Sequence, residues 1–216
     1  MKGRIEKWKA RAARRYTAEE LAALFFFCAA LGWVWEVALR LTVDGILVNP
    51  GTMHGLWLPS YGVGAVLSVV LLRRWAGQPA LVLALGTVLC GAVELAAGRG
   101  LEAVYHQRWW DYSAWPMNVD GLVCLPVSVL FGLGCCAAVY FAAPLLAGWL
   151  RRLPARGVRC CCLLLTLLFA FDLGWSAARP NAGEGVNDYG EAAQAGQVLT
   201  VIQVTRAAAL LQGLQK

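Results

Sequence analysis

Runs of about 20 apolar residues, separated by short polar connections, constrain this chain more than any other feature. They are 21–41 (LAALFFFCAALGWVWEVALRL), 55–72, 79–97, 121–150 and 160–177. In hydrocarbon every backbone N–H and C=O must find its partner within the chain, so a Leu-, Ala- and Gly-rich run of this length is read as a helix. The expected fold class is an all-α polytopic membrane bundle with about five transmembrane helices. A composition that is 59% hydrophobic and 15% charged agrees with a bilayer rather than with water. The fourth run is long enough to require tilt or a kink at Pro126 or Pro144.

Basic residues set the expected orientation, because Lys and Arg in short loops stay on the cytoplasmic side. Lys2, Arg4, Lys7, Lys9, Arg11, Arg14 and Arg15 precede the first run. Arg73 and Arg74 follow the second, and Arg151, Arg152, Arg156 and Arg159 separate the fourth from the fifth. The other loops carry only Arg99 and Arg108. The N-terminus is therefore expected to be cytoplasmic. Three regions follow: a basic N-terminal segment (1–18), a transmembrane domain (19–177) and an extracytoplasmic tail (178–216). The net charge of +6 is accounted for by membrane lipids against the basic N-terminus, without nucleic acid. A long first run, with no small-residue cleavage site close behind it, does not read as a removable signal peptide.

Eight cysteines occur, with no CxxC or Cys/His ligand spacing. Five lie within apolar runs, and Cys160, Cys161 and Cys162 sit at the expected cytoplasmic edge of the fifth run. They read as small apolar packing residues, and no metal site is expected.

Ionisable residues inside spans are expensive and point to function. Glu36 lies in the outer third of the first span, with Arg40 one turn further on the same face. Glu94 reaches a similar depth in the third span, followed by Glu102 and then by Asp111 in the stretch RWWDYSAWPMNVDG (108–121). Asp172 is a fifth acid toward the same side. His54, Tyr61, His106, Arg108 and Asn118 are available at that depth. Trp109, Trp110 and Trp115 fit an aromatic belt at the headgroups. Within GLWLPSYGVGA, Pro59, Gly62 and Gly64 shape the start of the second span. The combined expectation is an acidic, Trp-rimmed pocket near the outer leaflet, with Glu36 and Glu94 as its floor. Tyr112, Asp111, Ser113 and Asn118 would close it.

These blocks resemble the CmpB-like family of bacterial integral membrane proteins, grouped with type IV ABC-transporter permeases. The resemblance rests on Gly32, Trp33 and Glu36, on Asn49, Gly51 and Gly55, and on the Leu-Pro-x-Tyr-Gly-x-Gly segment of Leu58, Pro59, Tyr61, Gly62 and Gly64. It continues through Glu94, Glu102, Trp110, Asp111, Tyr112, Ser113, Asn118 and Gly121, and covers roughly residues 20–150. The chain departs from the family at Pro50 and Leu122, where a basic residue is usual, and at Leu56, where a proline is. The resemblance implies a permease of the bacterial cytoplasmic (inner) membrane, working as a homodimer or with a separate ATPase subunit, since no Walker A pattern occurs here.

Two function classes stay open at this level. One is a transporter or permease whose acids Glu36, Glu94, Glu102 and Asp111 bind a cation or cationic solute or couple to protons, with Arg40, Tyr61, Trp110, Tyr112 and Asn118 around them. The other is an intramembrane enzyme acting on a lipid-linked or amphipathic substrate, with buried carboxylates as general acid and base. No nucleophile or metal motif fixes a reaction, and no cofactor is indicated. EAAQAG (191–196) lacks the spacing of a permease loop that docks an ATPase and lies on the expected outer side. Residues 198–211 have the pattern of an amphipathic surface helix.

Overall fold

A computed structural model describes residues 12–43, 45–183 and 186. The basic residues before 12, the EAAQAG segment and the expected amphipathic helix at 198–211 lie outside the described residues. Among the described residues five helices follow one another: α1 (Ala18–Val43), α2 (Pro59–Leu72), α3 (Pro79–Tyr105), α4 (Leu125–Leu150) and α5 (Ala155–Ala178). All but α2 are long and apolar enough to cross a membrane.

The start of each helix is written locally. Thr17 and Glu20 form a capping box at α1: Glu20 N–H donates to Thr17 Oγ1 (3.3 Å) and Thr17 N–H to Glu20 Oε2 (3.0 Å). Pro59, Pro79 and Pro126 each occupy the first turn of a helix, where the missing N–H has no intrahelical partner to lose. Pro126 therefore starts α4 rather than kinking it. Pro144 is accommodated differently, by a wide π-turn at Ala138–Ala142 immediately before it.

The second apolar run yields a shorter helix than expected. Residues 55–58 are not helical; Leu58 is extended and its N–H donates to Ala29 O of α1 (3.0 Å), so α2 begins only at Pro59 and has 14 residues, about 21 Å of rise. A 3-10 turn, Arg73–Trp75, completes its descent.

Successive helices alternate in direction, and the bundle has two unlike ends. At the basic end, Glu20 is buried and holds Arg14 (2.7 Å) and Arg151 (3.1 Å), tying the start of α1 to the connection after α4. Tyr140 Oη donates to Ala76 O (3.1 Å). The apolar core, with Leu24, Val69, Leu72, Val82 and Val139, sits toward this end. The opposite end is made of loops 45–58 and 106–124 and residues 179–183.

Small residues allow the close helix contacts. Gly86 and Gly132 lie in the extensive α3–α4 interface, against Cys135 and Thr87 respectively. Cys90 Sγ and Cys135 Sγ approach to 3.2 Å across the same interface as free thiols. α5 is peripheral: only 11% of its most apolar window is buried, leaving Leu163, Leu164, Leu167 and Phe171 on the outside.

Candidate functional site

Four helices and one loop bring the acids of α1 and α3 together. Glu36 lies two turns below the end of α1, about 10 Å, and Glu94 three turns below the end of α3, about 16 Å. Tyr61, in the first turn of α2, donates its Oη to Glu36 Oε1 (2.6 Å). The Tyr61 ring lies directly against Gly32 of α1, where a methyl group would overlap it, and meets Phe131 of α4 edge-on at 5.6 Å. Tyr112, in the loop after α3, donates to Glu94 Oε1 (3.1 Å). Each carboxyl group thus accepts a tyrosine hydroxyl.

Glu94 Oε2 is shielded from solvent and accepts no hydrogen bond. Ser128 Oγ, on the facing turn of α4, is in the same condition, within a residue that is 4% exposed. Arg40, 3% exposed, lies one turn beyond Glu36. Among the described residues, no three His, Cys, Asp or Glu side chains are placed to hold a metal ion.

The remaining candidates shape the loops. Glu102 pairs with Arg108 (2.9 Å), whose Nη1 also donates to Asp120 O (3.0 Å), and Arg99 pairs with Asp120. Asp111 Oδ1 accepts Ser113 N–H (2.8 Å). Asn118 donates to Trp115 O (2.8 Å) and accepts Gly121 N–H (3.1 Å), closing a hairpin between β1 (Asn118–Val119) and β2 (Val123–Cys124). Gly121 turns this hairpin at φ +70°, with Asp111 Oδ1 2.5 Å from where a Cβ would stand, so both the backbone and the space require glycine. His106 ends α3 in the left-handed conformation, outside the acid pair. The tryptophans pin the loop inward: Trp109, 3% exposed, donates to Asn181 O (3.0 Å), and Trp110 to Leu122 O (2.8 Å).

Asp172 has a separate task. It is buried in α5 and accepts hydrogen bonds from Gly55 N–H (2.9 Å), His54 N–H (3.3 Å), Trp57 Nε1 (2.7 Å) and Ser176 Oγ (3.2 Å). The loop it holds is also bound by Trp33 Nε1 donating to Asn49 Oδ1 (2.6 Å) and by Asn181 Nδ2 donating to Asn49 O (2.8 Å). Trp33→Phe is expected to lower stability by about 1 kcal/mol through loss of the first of these bonds, read as a fall in the thermal unfolding midpoint of the purified protein. An unchanged midpoint would mean that Asn49 is held well enough by its other partners.

A family profile described as "Putative ABC-transporter type IV" matches residues 23–177. The chain belongs to this family. The match takes in the acid pair, both of its tyrosines and the Asp172 clasp. It extends the likeness beyond residue 150, through most of α5, and with the apolar helices it makes this ABC-transporter family member a multi-pass membrane protein. No curated protein and no solved structure matches the chain.

Ser128 went unrecognised from sequence alone. Its one visible sign is a polar residue inside the apolar stretch LPVSVLF, three residues before the Phe131 that supports Tyr61.

Proposed function

We propose that this protein is the membrane-spanning component of a bacterial inner-membrane transporter, driven by a separate ATPase chain. Its solute or coupling ion would bind at Glu36 and Glu94, between Tyr61 and Tyr112. One observation carries this reading: Glu36 on α1 and Glu94 on α3 each accept a tyrosine hydroxyl inside the bundle, and Glu94 Oε2 is left without a hydrogen bond. Two adjacent carboxylates in a low-dielectric setting repel unless a positive charge stands with them, which suits a cation or cationic solute.

The arginines at the basic end support a cytoplasmic N-terminus, which would put the acid pair in the outer half of the membrane. Membrane lipids would surround the exposed face of α5. The small number of helices among the described residues supports assembly with a second membrane chain, such as another copy of this one. Trp110, Asp111 and Asn118 order the loop over the site, while Glu102 and Arg108 brace its edge.

Purification from native membranes in nanodiscs, followed by native mass spectrometry, tests the reading. A nucleotide-binding chain in fixed stoichiometry is expected, and it should stay bound in Glu94→Gln while solute-dependent ATP hydrolysis is lost. A bound lipid-linked substrate that is turned over without any ATPase would instead make the acids a catalytic pair and overturn the proposal.

A further inference from the structure

A groove open on one side runs between α1 and α2, toward the basic end of the bundle. It encloses about 270 Å³ and is lined by Leu21, Ala22 and Phe25 of α1 and by Val63, Val66 and Leu67 of α2, all of them apolar. Leu21 lies one turn inside the start of α1, and Leu67 lies five residues before the end of α2. The groove therefore begins just inside the helix ends.

Positive charge stands at its mouth. On α2 the stripe of Val63, Val66 and Leu67 continues at helical spacing through Val70, which is 44% exposed, to Arg74. Arg73 reaches across the gap between the two helices and donates its Nη1 to Ala13 O, just before α1 (3.3 Å). Arg74 lies over the Trp75 ring at 4.0 Å, and a guanidinium stacked in this way keeps its in-plane N–H groups for an anion. The acids at this end are already engaged, Glu19 by Arg159 (3.3 Å) and Glu20 by Arg14 (2.7 Å) and Arg151 (3.1 Å). Among the described residues, no acid pairs with Arg73 or Arg74.

We infer that this groove holds an acyl chain of one anionic phospholipid, whose phosphate is bound by Arg73 and Arg74. The spacing suits such a molecule: Leu67 lies about 9 Å below Arg73 along α2, and the headgroup layer of a bilayer is roughly 5–8 Å deep on each side. The charge selects the headgroup, because a net negative lipid compensates two arginines that no carboxylate neutralises, whereas a zwitterionic lipid brings its own ammonium among them. A second copy of this chain fits less well, since copies inserted the same way would set their basic ends at one level. The site lies at the opposite end of the bundle from Glu36 and Glu94 and does not depend on the transport reading.

Titration of the delipidated full chain in detergent with phosphatidylglycerol or with phosphatidylcholine, followed by native mass spectrometry, tests this. One phosphatidylglycerol per chain is expected to stay bound under activation that strips phosphatidylcholine. Replacing both arginines, Arg73→Gln with Arg74→Gln, should weaken its binding about thirtyfold, equivalent to about 2 kcal/mol. Val63→Trp, which fills the groove from an exposed position, should weaken it as well, while Leu163→Trp on the outer face of α5 and Glu94→Gln should leave it intact. Equal retention of the two lipids would overturn the inference, and so would phosphatidylglycerol binding that neither the arginine pair nor Val63→Trp alters. A dimer that Val63→Trp converts to a monomer would show instead that a second copy fills the groove.

Discussion

Asp172→Ala is expected to lower the stability of the purified protein by about 3 kcal/mol, because one small deletion leaves several buried donors without an acceptor. The carboxylate is 8% exposed and gathers the N–H groups of His54 and Gly55, the Trp57 indole and the Ser176 hydroxyl. Alanine removes every one of these acceptors at once. For a chain of this size the midpoint of thermal unfolding should fall by about 6–12 °C. Asp172→Asn keeps the shape and one carbonyl oxygen, and should lose about half as much. The loop between α1 and α2 should become accessible to protease in the alanine variant before the bundle itself unfolds, because Asp172 supplies several of the bonds by which that loop reaches α5. A midpoint within 2 °C of the parent would show that the loop is held from elsewhere.

Gly132→Val is expected to force α3 and α4 apart and lower stability by about 2–3 kcal/mol. A Cβ at this position would press on Thr87 Oγ1 and stand 3.0 Å from Thr87 N and 3.1 Å from Leu83 O. Two of these three atoms are backbone, so no side-chain rotation relieves the overlap and the helices must separate. Separation would also part Ser128 from α3. Gly134, two residues along the same helix, has nothing within 4 Å of its Cβ position. Gly134→Ala should therefore change stability in the opposite direction, by roughly 0.5 kcal/mol or slightly more, through helix propensity alone. The pair of variants separates a packing effect from a general dislike of side chains in α4. Equal effects of the two would contradict the interface described.

How much of this was legible beforehand differs from residue to residue. Glu36 and Glu94 stand out in sequence because a charge inside an apolar run is conspicuous, and their depths follow from counting turns. Tyr112 and Tyr61 could be placed near them because both lie in polar or Pro-Gly-rich stretches at the same end. Asp172 looked like another member of the group for the same reason. Depth alone cannot distinguish it, since rotation about α5 decides whether its carboxylate faces the acid pair or the loop at 54–57. The tryptophans of the 108–121 stretch matched an aromatic belt by composition, yet Trp109 and Trp110 turn inward to carbonyl groups of Asn181 and Leu122. Indole is apolar with one donor, so it suits either place.

The sequence by itself determined that this chain is a membrane helical bundle, which end is basic, and where its helices run to within about five residues, except that α3 continues past 97 to Tyr105. Those properties depend on local quantities, namely the length of an apolar run, the residue at a cap and the charge of a short loop. Tertiary structure alone decided which polar groups meet. The Tyr61–Glu36 and Tyr112–Glu94 pairs, the clasp at Asp172 and the facing of Ser128 toward Glu94 depend on helix rotation and on glycine-sized gaps at Gly32, Gly91 and Gly132. A rotation of one helix by a single residue, about 100°, would leave the hydropathy pattern intact and dismantle those of the contacts in which that helix takes part.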